Sequence, residues 1–377
     1  MMSPHEHTAM NTVAFPSIVL AGGGTAGHTS PLIATGLELR RLNPEATLTA
    51  LGTARGLETA LVPASGLDLE LIPPVPMPRR IGMDLLFVAP RLVEAVAGTI
   101  RLLRQLSAQV VLGFGGYVST PAYLAARRLG LPIVIHEQNV LPGLANKLAA
   151  RLTSHVFTSF PRTSLPHAQC IGLPIRRAIT DLDRTALRRE SRAGFDLHPD
   201  LPTLLVSGGS QGALRINTAV AGAWPELLAG GIQVLHILGP KNLVPGFVRT
   251  TDERTGAVYQ PLAYVEQMER AYAAADLMLG RSGASTVLET AAVGLPVVFV
   301  PYPVGNGEQA LNAELVVNAG GGIMLADADC TAVWVAQEIP ALFAHPDRLA
   351  GMSNALAGVA RLDAATVLAS RVLEVIR

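Results

Sequence analysis

Residues 21–30, AGGGTAGHTS, follow the apolar run SIVL and put three glycines and a histidine where a strand would turn into a helix. Gly22, Gly24 and Gly27 satisfy the spacing G-x-G-x-x-G, which brings backbone close to a pyrophosphate at a helix N-terminus. The same residues read as a P-loop in which His28 replaces the lysine. Neither class is completed. A dinucleotide site needs an acid at the end of the second strand, but ATLTALGTARG ends in Leu51, Gly52 and Thr53, and Glu45 lies at the wrong end. A nucleotide hydrolase needs the lysine and an acid to hold magnesium, and neither is in place. What remains is a turn whose N–H groups suit an anion. His28 suits a base or a hydrogen-bond partner for a hydroxyl or phosphate, with a capping histidine as the plain alternative.

Similar turns recur. GGSQG at 208–212 also joins a strand to a helix and carries Ser210 and Gln211 as side-chain donors. In GRSGASTVLET (280–290), Ser282, Gly283, Ala284 and Ser285 would offer free N–H groups, with Glu289 one turn into the helix. Three such helix starts fit a diphosphate with a group at either end, and Glu289 suits a ribose diol. GFGGYVSTP (113–121) is a further glycine turn, and His136, Glu137, Gln138 and Asn139 stand together at a strand's carboxyl end, where polar groups look for partners in a cleft. The loop PYPVGNGEQALNAE (301–314) adds Glu308, Gln309 and Asn312, whose side chains suit sugar hydroxyls or a helix cap.

These turns need strands and helices to hold them. Apolar runs at 17–21, 46–51, 69–72, 109–113, 132–136 and 154–158 alternate with helical patterns, and the rhythm restarts at 203–207, 232–237, 256–260, 275–280 and 296–300. Strands without a polar face imply parallel sheets covered on both sides, an α/β doubly wound arrangement. The restart predicts two Rossmann-like domains, with the charged segment 172–202 as hinge and both sets of glycine turns facing one cleft. A chain of 377 residues is long enough for two cores. Lys plus Arg equal Asp plus Glu at 29 each, so no global basic field marks a nucleic-acid partner. Cys170 and Cys330 give neither a disulfide framework nor a metal spacing, which fits a reducing compartment. Residues 1–16 lack the pattern of a secretory signal and are expected to be a flexible leader, with Met10 as an alternative start. The uncharged run 290–307 is broken by Gly294, Pro296, Pro301 and Pro303 and should not cross a bilayer. At 76–106 apolar residues recur at helical spacing, broken or bent at Pro90 and flanked by Arg79, Arg80, Arg101 and Arg104. That segment is either an ordinary amphipathic helix or a surface for an anionic membrane, with Phe87 entering the interface.

GGTAGH, GFGGYVSTP, HEQN, GLPIR, GGSQGA, GRSGASTVLE and a late EQ..NA, in this order along nearly the whole chain, closely resemble the MurG family of peripheral-membrane N-acetylglucosaminyltransferases. The resemblance implies a GT-B fold of two Rossmann-like domains whose parallel sheets face a central cleft. It implies inverting, metal-independent transfer of N-acetylglucosamine from UDP-N-acetylglucosamine to lipid I, the muramoyl-pentapeptide diphospho-undecaprenol, with no cofactor. It further implies residence on the cytoplasmic side of the cell membrane, a role in cell shape and division, and partners among cell-wall synthesis and division proteins. The family's donor contacts fall on Thr25, Ala26, Gly27, Asn139, Arg176, Ser210, Val265, the run Ala284, Ser285, Thr286, Val287, Leu288 and Glu289, and Gln309. Glu289 would bind ribose, the Val265 backbone uracil, and Gln309 the sugar; His28 is the first candidate for the base and Glu137 the second. Ala26 stands where many members have glycine, Leu173 where asparagine is expected, and GNGEQ replaces a more acidic or histidine-containing loop. The implied domains are 17–174, 175–358 and a helix in 359–377 that returns to the first domain. Two other readings stay open: a related enzyme with the same donor, such as a 2-epimerase or a transferase with a soluble acceptor, and a nucleotide-sugar binding module without turnover.

Overall fold

The computed structural model describes residues 15–54, 56–75, 84–304 and 306–376, and only the backbone of 84–88. Most of the expected leader, Arg79 and Arg80 therefore lie outside the described residues, and of Phe87 only its place in a helix is known.

Two seven-stranded sheets organise the chain. The first contains β1 (Ser17–Gly22), β2 (Thr47–Gly52), β3 (Asp68–Leu71), β4 (Val110–Gly115), β5 (Ile133–Glu137), β6 (His155–Thr158) and β7 (Ala168–Cys170), all parallel, in the order β3-β2-β1-β4-β5-β6-β7. The second contains β8 (Thr203–Ser207), β9 (Gln233–Ile237), β10 (Thr250–Thr251), β11 (Val258–Leu262), β12 (Leu277–Gly280), β13 (Val297–Phe299) and β14 (Gly322–Met324) in the order β10-β11-β9-β8-β12-β13-β14. Only the edge strand β10 runs antiparallel. The helices of the first half are α1 (Ala26–Leu42), α2 (Glu58–Ala64), α3 (Asp84–Gln105), α4 (Ser119–Leu129) and α5 (Leu144–Ala149). There follow α6 (Arg177–Thr180), α7 (Arg184–Gly194), α8 (Leu214–Ala221), α9 (Trp224–Ala229), α10 (Met268–Ala274), α11 (Ala284–Ala292), α12 (Glu308–Asn318), α13 (Ala332–Phe343), α14 (Pro346–Ala355) and α15 (Ala364–Ile376).

Side chains alternate across a strand, so an all-apolar strand serves two cores at once. In β1, Ile18 and Leu20 enter the core under α1 and α15, while Val19 and Ala21 enter the one under α3 and α4. In β8, Leu204 and Val206 point to one core of the second sheet and Leu205 to the other. This is why the strands read as unbroken apolar runs. The three strands absent from that pattern, β7, β10 and β14, are short edge strands; β7 is largely exposed and needs no apolar face. Helix α3 runs through Pro90 rather than ending there, and buries Ala95, Thr99 and Leu103 at a spacing of four residues.

Strand order reverses beside β1 in the first sheet and beside β8 in the second, and a ligand crevice forms at such a switch point. The flanking turns are those after β1, β4, β8 and β12, all rich in glycine. The last helix, α15, packs on α1 and places Leu368, Ala369 and Val372 in the core of the first domain. Glu38 of α1 joins three elements there: Arg177 Nε of α6 donates to its Oε2 at 3.0 Å and Thr366 Oγ1 of α15 to its Oε1 at 2.7 Å. Burial pushes the Glu38 carboxyl up, but hydrogen bonds from Arg41, Arg177 and Thr366 outweigh it and hold the group at about 2. Among the described residues no helix is long and apolar enough to cross a membrane.

Candidate active site

The carboxyl ends of the two sheets enclose a cleft of about 770 Å³. On the first wall the turn after β1 is shaped by contact with the turn after β4. Gly116 has φ +83°, and a Cβ there would lie 2.5 Å from Gly23 O, so only glycine lets the two backbones touch. Beneath the turn lies an acid missed in the sequence. Glu58 at the start of α2 is fully buried, and its carboxylate accepts from Gly24 N at 2.8 Å and Thr53 N at 2.9 Å. This carboxylate stands on α2 and not at the end of β2, and it is spent on the chain's own backbone.

Thr25, Ala26 and Gly27 line the cleft, with Ser30 and Ile33 of α1 behind them. His28 sits behind this wall, half-buried between the β1 and β4 turns. Its Nδ1 lies 3.0 Å from Thr25 Oγ1, and its Nε2 is 3.4 Å from where a Cβ on Gly115 would stand. Burial lowers its pKa to about 4, against the opposing pull of the Gly23 backbone and the Glu58 charge, so the ring is neutral at pH 7.

The second wall carries three features. In the GGSQG turn, Gly212 has φ +74° and a Cβ there would overlap the Leu238 carbonyl, which forces glycine; Ser210 and Gln211 line the cleft beside it. At the start of α11, Ala284, Ser285 and Thr286 face the cleft, and the buried hydroxyls of Ser282 and Ser285 have no hydrogen-bond partner among the described residues. Unpaired buried hydroxyls beside free helix N–H groups suit an incoming anion. Glu289 is also on the cleft, and Tyr272 OH donates to its Oε2 at 2.7 Å, leaving Oε1 for a ligand. Burial raises the Glu289 carboxyl, opposed by the Tyr272 hydrogen bond and the Arg176 charge. Arg176, in the hinge, reaches Glu269 Oε2 at 3.4 Å. Val265 follows β11, and Gln309 lies in the first turn of α12, its Oε1 held by Tyr302 N at 2.9 Å.

Other expected residues lie elsewhere. Val287 and Leu288 are buried in the apolar core, because a helix shows a cleft only one side and these two face inward. Glu137 is 2% exposed and braces its own loop: Oε1 accepts from Asn139 N, and Oε2 from Gly143 N and Asn146 Nδ2. Burial raises its carboxyl against those hydrogen bonds. Asn139 turns to the domain seam, where its Oδ1 accepts from Asn312 Nδ2 at 3.1 Å. Asn312 is fully buried there and offers the cleft nothing, and neither it nor Asn139 is on the cleft wall. Arg281, inside the GRSGAS motif, carries no signal of its own in the sequence, yet it lines the cleft and holds Asp327 Oδ1 at 2.5 Å with the Tyr302 ring 5.4 Å away. On the far face of the first domain Arg101 and Arg104 are exposed on α3, together with Arg91 and Val93.

Comparison with known proteins agrees with this architecture. Residues 18–158 match the glycosyltransferase family 28 N-terminal domain and residues 203–368 its C-terminal domain. A UDP-N-acetylglucosamine--N-acetylmuramyl-(pentapeptide) pyrophosphoryl-undecaprenol N-acetylglucosamine transferase of Nocardioides sp. is 54% identical, covering 95% of this chain and 97% of that protein. The protein of the same name in Streptomyces coelicolor is 51% identical over 95% of this chain and 98% of its own. Among solved structures, Acinetobacter baumannii MurG superposes with a TM-score of 0.72 at 24% identity, covering 96% of this chain and 99% of that one. The calicheamicin glycosyltransferase CalG4 gives 0.63 at 17% identity, with 96% and 98% covered. The fold is GT-B, and with both domains matched in order and relatives above 50% identity along almost the whole length, the chain belongs to glycosyltransferase family 28, among the MurG enzymes.

Proposed function

We propose that this chain transfers N-acetylglucosamine from UDP-N-acetylglucosamine to lipid I, forming lipid II. The observation that carries the reading is a cleft with helix starts and a half-free carboxylate on one wall and a neutral imidazole behind the other. The names of the relatives support the same donor and acceptor.

In this reading the diphosphate rests on the N–H groups at the start of α11 and in the GGSQG turn, joined by the hydroxyls of Ser210 and Ser285. Glu289 Oε1 takes the ribose diol while Tyr272 fixes Oε2. The Val265 backbone meets uracil, Arg176 closes the hinge side, and the amide of Gln309 reaches the sugar. Thr25, Ala26 and Gly27 close over the donor from the opposite wall, and Asn139 meets it only when its side chain leaves the seam. His28 takes the proton of the acceptor hydroxyl as that oxygen bonds to C1 of the sugar. The bond from C1 to the diphosphate oxygen breaks with its electron pair leaving on UDP, and the configuration inverts. The start of α11 receives that charge through backbone dipoles, so the step asks for no metal. Glu137 is the second candidate for the base, disfavoured by its three internal hydrogen bonds.

The chain would work as a peripheral protein on the cytoplasmic face of an anionic membrane, meeting it through α3 and the preceding arginines, beside other cell-wall synthesis and division proteins. The decisive test is incubation of the purified protein with labelled UDP-N-acetylglucosamine and a short-chain lipid I analogue. Label in the lipid product is expected; donor binding without any transfer would refute the assignment.

A further inference from the structure

Gly23 is the glycine of the run Gly22–Gly24 that the G-x-G-x-x-G spacing does not ask for. Its reason lies in the carboxyl group of Glu58. A Cβ on Gly23 would lie 2.6 Å from Glu58 Oε1, one on Gly52 at the end of β2 would lie 2.5 Å from Cγ, and one on Gly56 would overlap the carboxyl group itself. Three glycines from three stretches of chain thus leave a slot, and Glu58 fills it, fully buried. Oε1 accepts from Thr53 N at 2.9 Å and from Thr53 Oγ1 at 3.2 Å, and Oε2 from Gly24 N at 2.8 Å. Among the described residues all its hydrogen bonds come from neutral donors, so its lone pairs are satisfied while its charge has no ion-pair partner.

The turn carries this anchor on to His28. Gly24 has φ +88°, Thr25 follows it, the Thr25 carbonyl accepts from His28 N at 3.2 Å, and the Thr25 hydroxyl lies 3.0 Å from His28 Nδ1. The Glu58 charge raises the ring's affinity for a proton, against the burial that lowers it. From β4 the ring meets Gly115, beside which stands Asn146, a neutral amide that donates to Glu137 Oε2 and accepts from Tyr123 OH. Both oxygens of Glu137 are taken up by its own loop. Glu58 is therefore the acid placed to answer a positive charge on the ring.

We propose that Glu58 is a positioning residue for the transfer step: from its slot beneath the glycine turn it fixes the backbone that carries His28 and supplies the negative charge that stabilises the ring once protonated. The inference rests on the proposed role of His28 as base. In that step the neutral ring takes the acceptor's proton as the acceptor oxygen bonds to C1, and the electron pair of the broken C1–O bond leaves on UDP. The imidazolium so formed lies in a site that resists charge by burial, and a buried carboxylate across the turn offsets that resistance.

The test measures kcat, the Kd for UDP and thermal unfolding for Glu58→Gln, Glu58→Asp and each of these combined with His28→Ala. Glu58→Gln keeps the shape and removes the charge. It should lower kcat about tenfold, the equivalent of one pKa unit in the protonated ring, and leave the Kd for UDP, held by the second domain, within about twofold. Glu58→Asp keeps the charge but draws it back from Gly24, so it should retain more of kcat than Glu58→Gln even where it lowers the melting temperature more. A carboxylate serving shape alone would give the reverse order, which would overturn the proposal. In the His28→Ala background neither substitution should lower kcat further, because the cation they bear on no longer forms. Additive losses there would overturn the proposal as well, and Glu58→Asp alone decides this point if Glu58→Gln does not fold. An unchanged kcat in His28→Ala itself would instead remove the base on which the proposal rests.

Discussion

His28 is an imidazole whose burial lowers its pKa to about 4, which would set both its strength and its working range in the proposed role of base. It stays unprotonated through neutral pH, so the acid limb of kcat/KM should fall near pH 4 and not near the ordinary histidine value of about 6.5. A half-maximal rate near pH 6.5 would move the role to another group. His28→Ala should lower kcat by roughly 10²-fold or more while leaving the Kd for UDP-N-acetylglucosamine nearly unchanged; equal effects on both would make it a binding residue. The glycines and the histidine of this turn were legible in the sequence because motif spacing reports local backbone. Glu58 was not, because a separation of 34 positions along the chain hides its contact with Gly24. Asn312 was legible as an amide near a sugar loop but not as a seam residue, since its orientation depends on where α12 docks.

At the scale of elements, the main strands were legible because a strand covered on both faces must be apolar throughout. Short edges such as β14 pair through backbone alone and leave no such trace. The run 284–289 was expected whole at the ligand, whereas the period of α11 turns Val287 and Leu288 into the core. Helix α3 shows the same logic from outside, with its buried stripe against α4 and Arg101 and Arg104 left in solvent. Each arginine near an anionic surface contributes about 1 kcal/mol. Arg101→Glu with Arg104→Glu should therefore cut co-sedimentation with anionic vesicles by roughly 10-fold or more and leave a water-soluble acceptor analogue turned over at the original rate. Unchanged co-sedimentation would show that α3 does not face the membrane.

Across the whole molecule, His136 and His236 are fully buried and burial lowers them to about 4 and about 3. The unfolded chain protonates both near pH 6.5 while the folded chain refuses the proton, so their stability contribution is complete above that pH and is lost as pH falls toward 4. Between pH 7 and pH 5 each should cost about 2 kcal/mol in chemical unfolding. The raised carboxyls of Glu137 and Glu289 act in the opposite sense, so the sharper measurement is on His236, whose shift owes to burial alone. His236→Gln should flatten the pH dependence between 7 and 5, and an unchanged slope would be inconsistent with a neutral buried ring. The two-domain plan was legible from the restart of the strand rhythm, but the seam between the domains was not, because nothing local marks which loop enters which core. The return of α15 carries a consequence for synthesis. Leu368 and Val372 belong to the first domain's core, and burying such side chains contributes roughly 1.5–3 kcal/mol each. On the ribosome the first half therefore waits, with an apolar face uncovered, until α15 emerges. A chain released at residue 360 should be cleaved by protease in its first half well before its second, and uniform resistance would show that the early domain closes without its last piece.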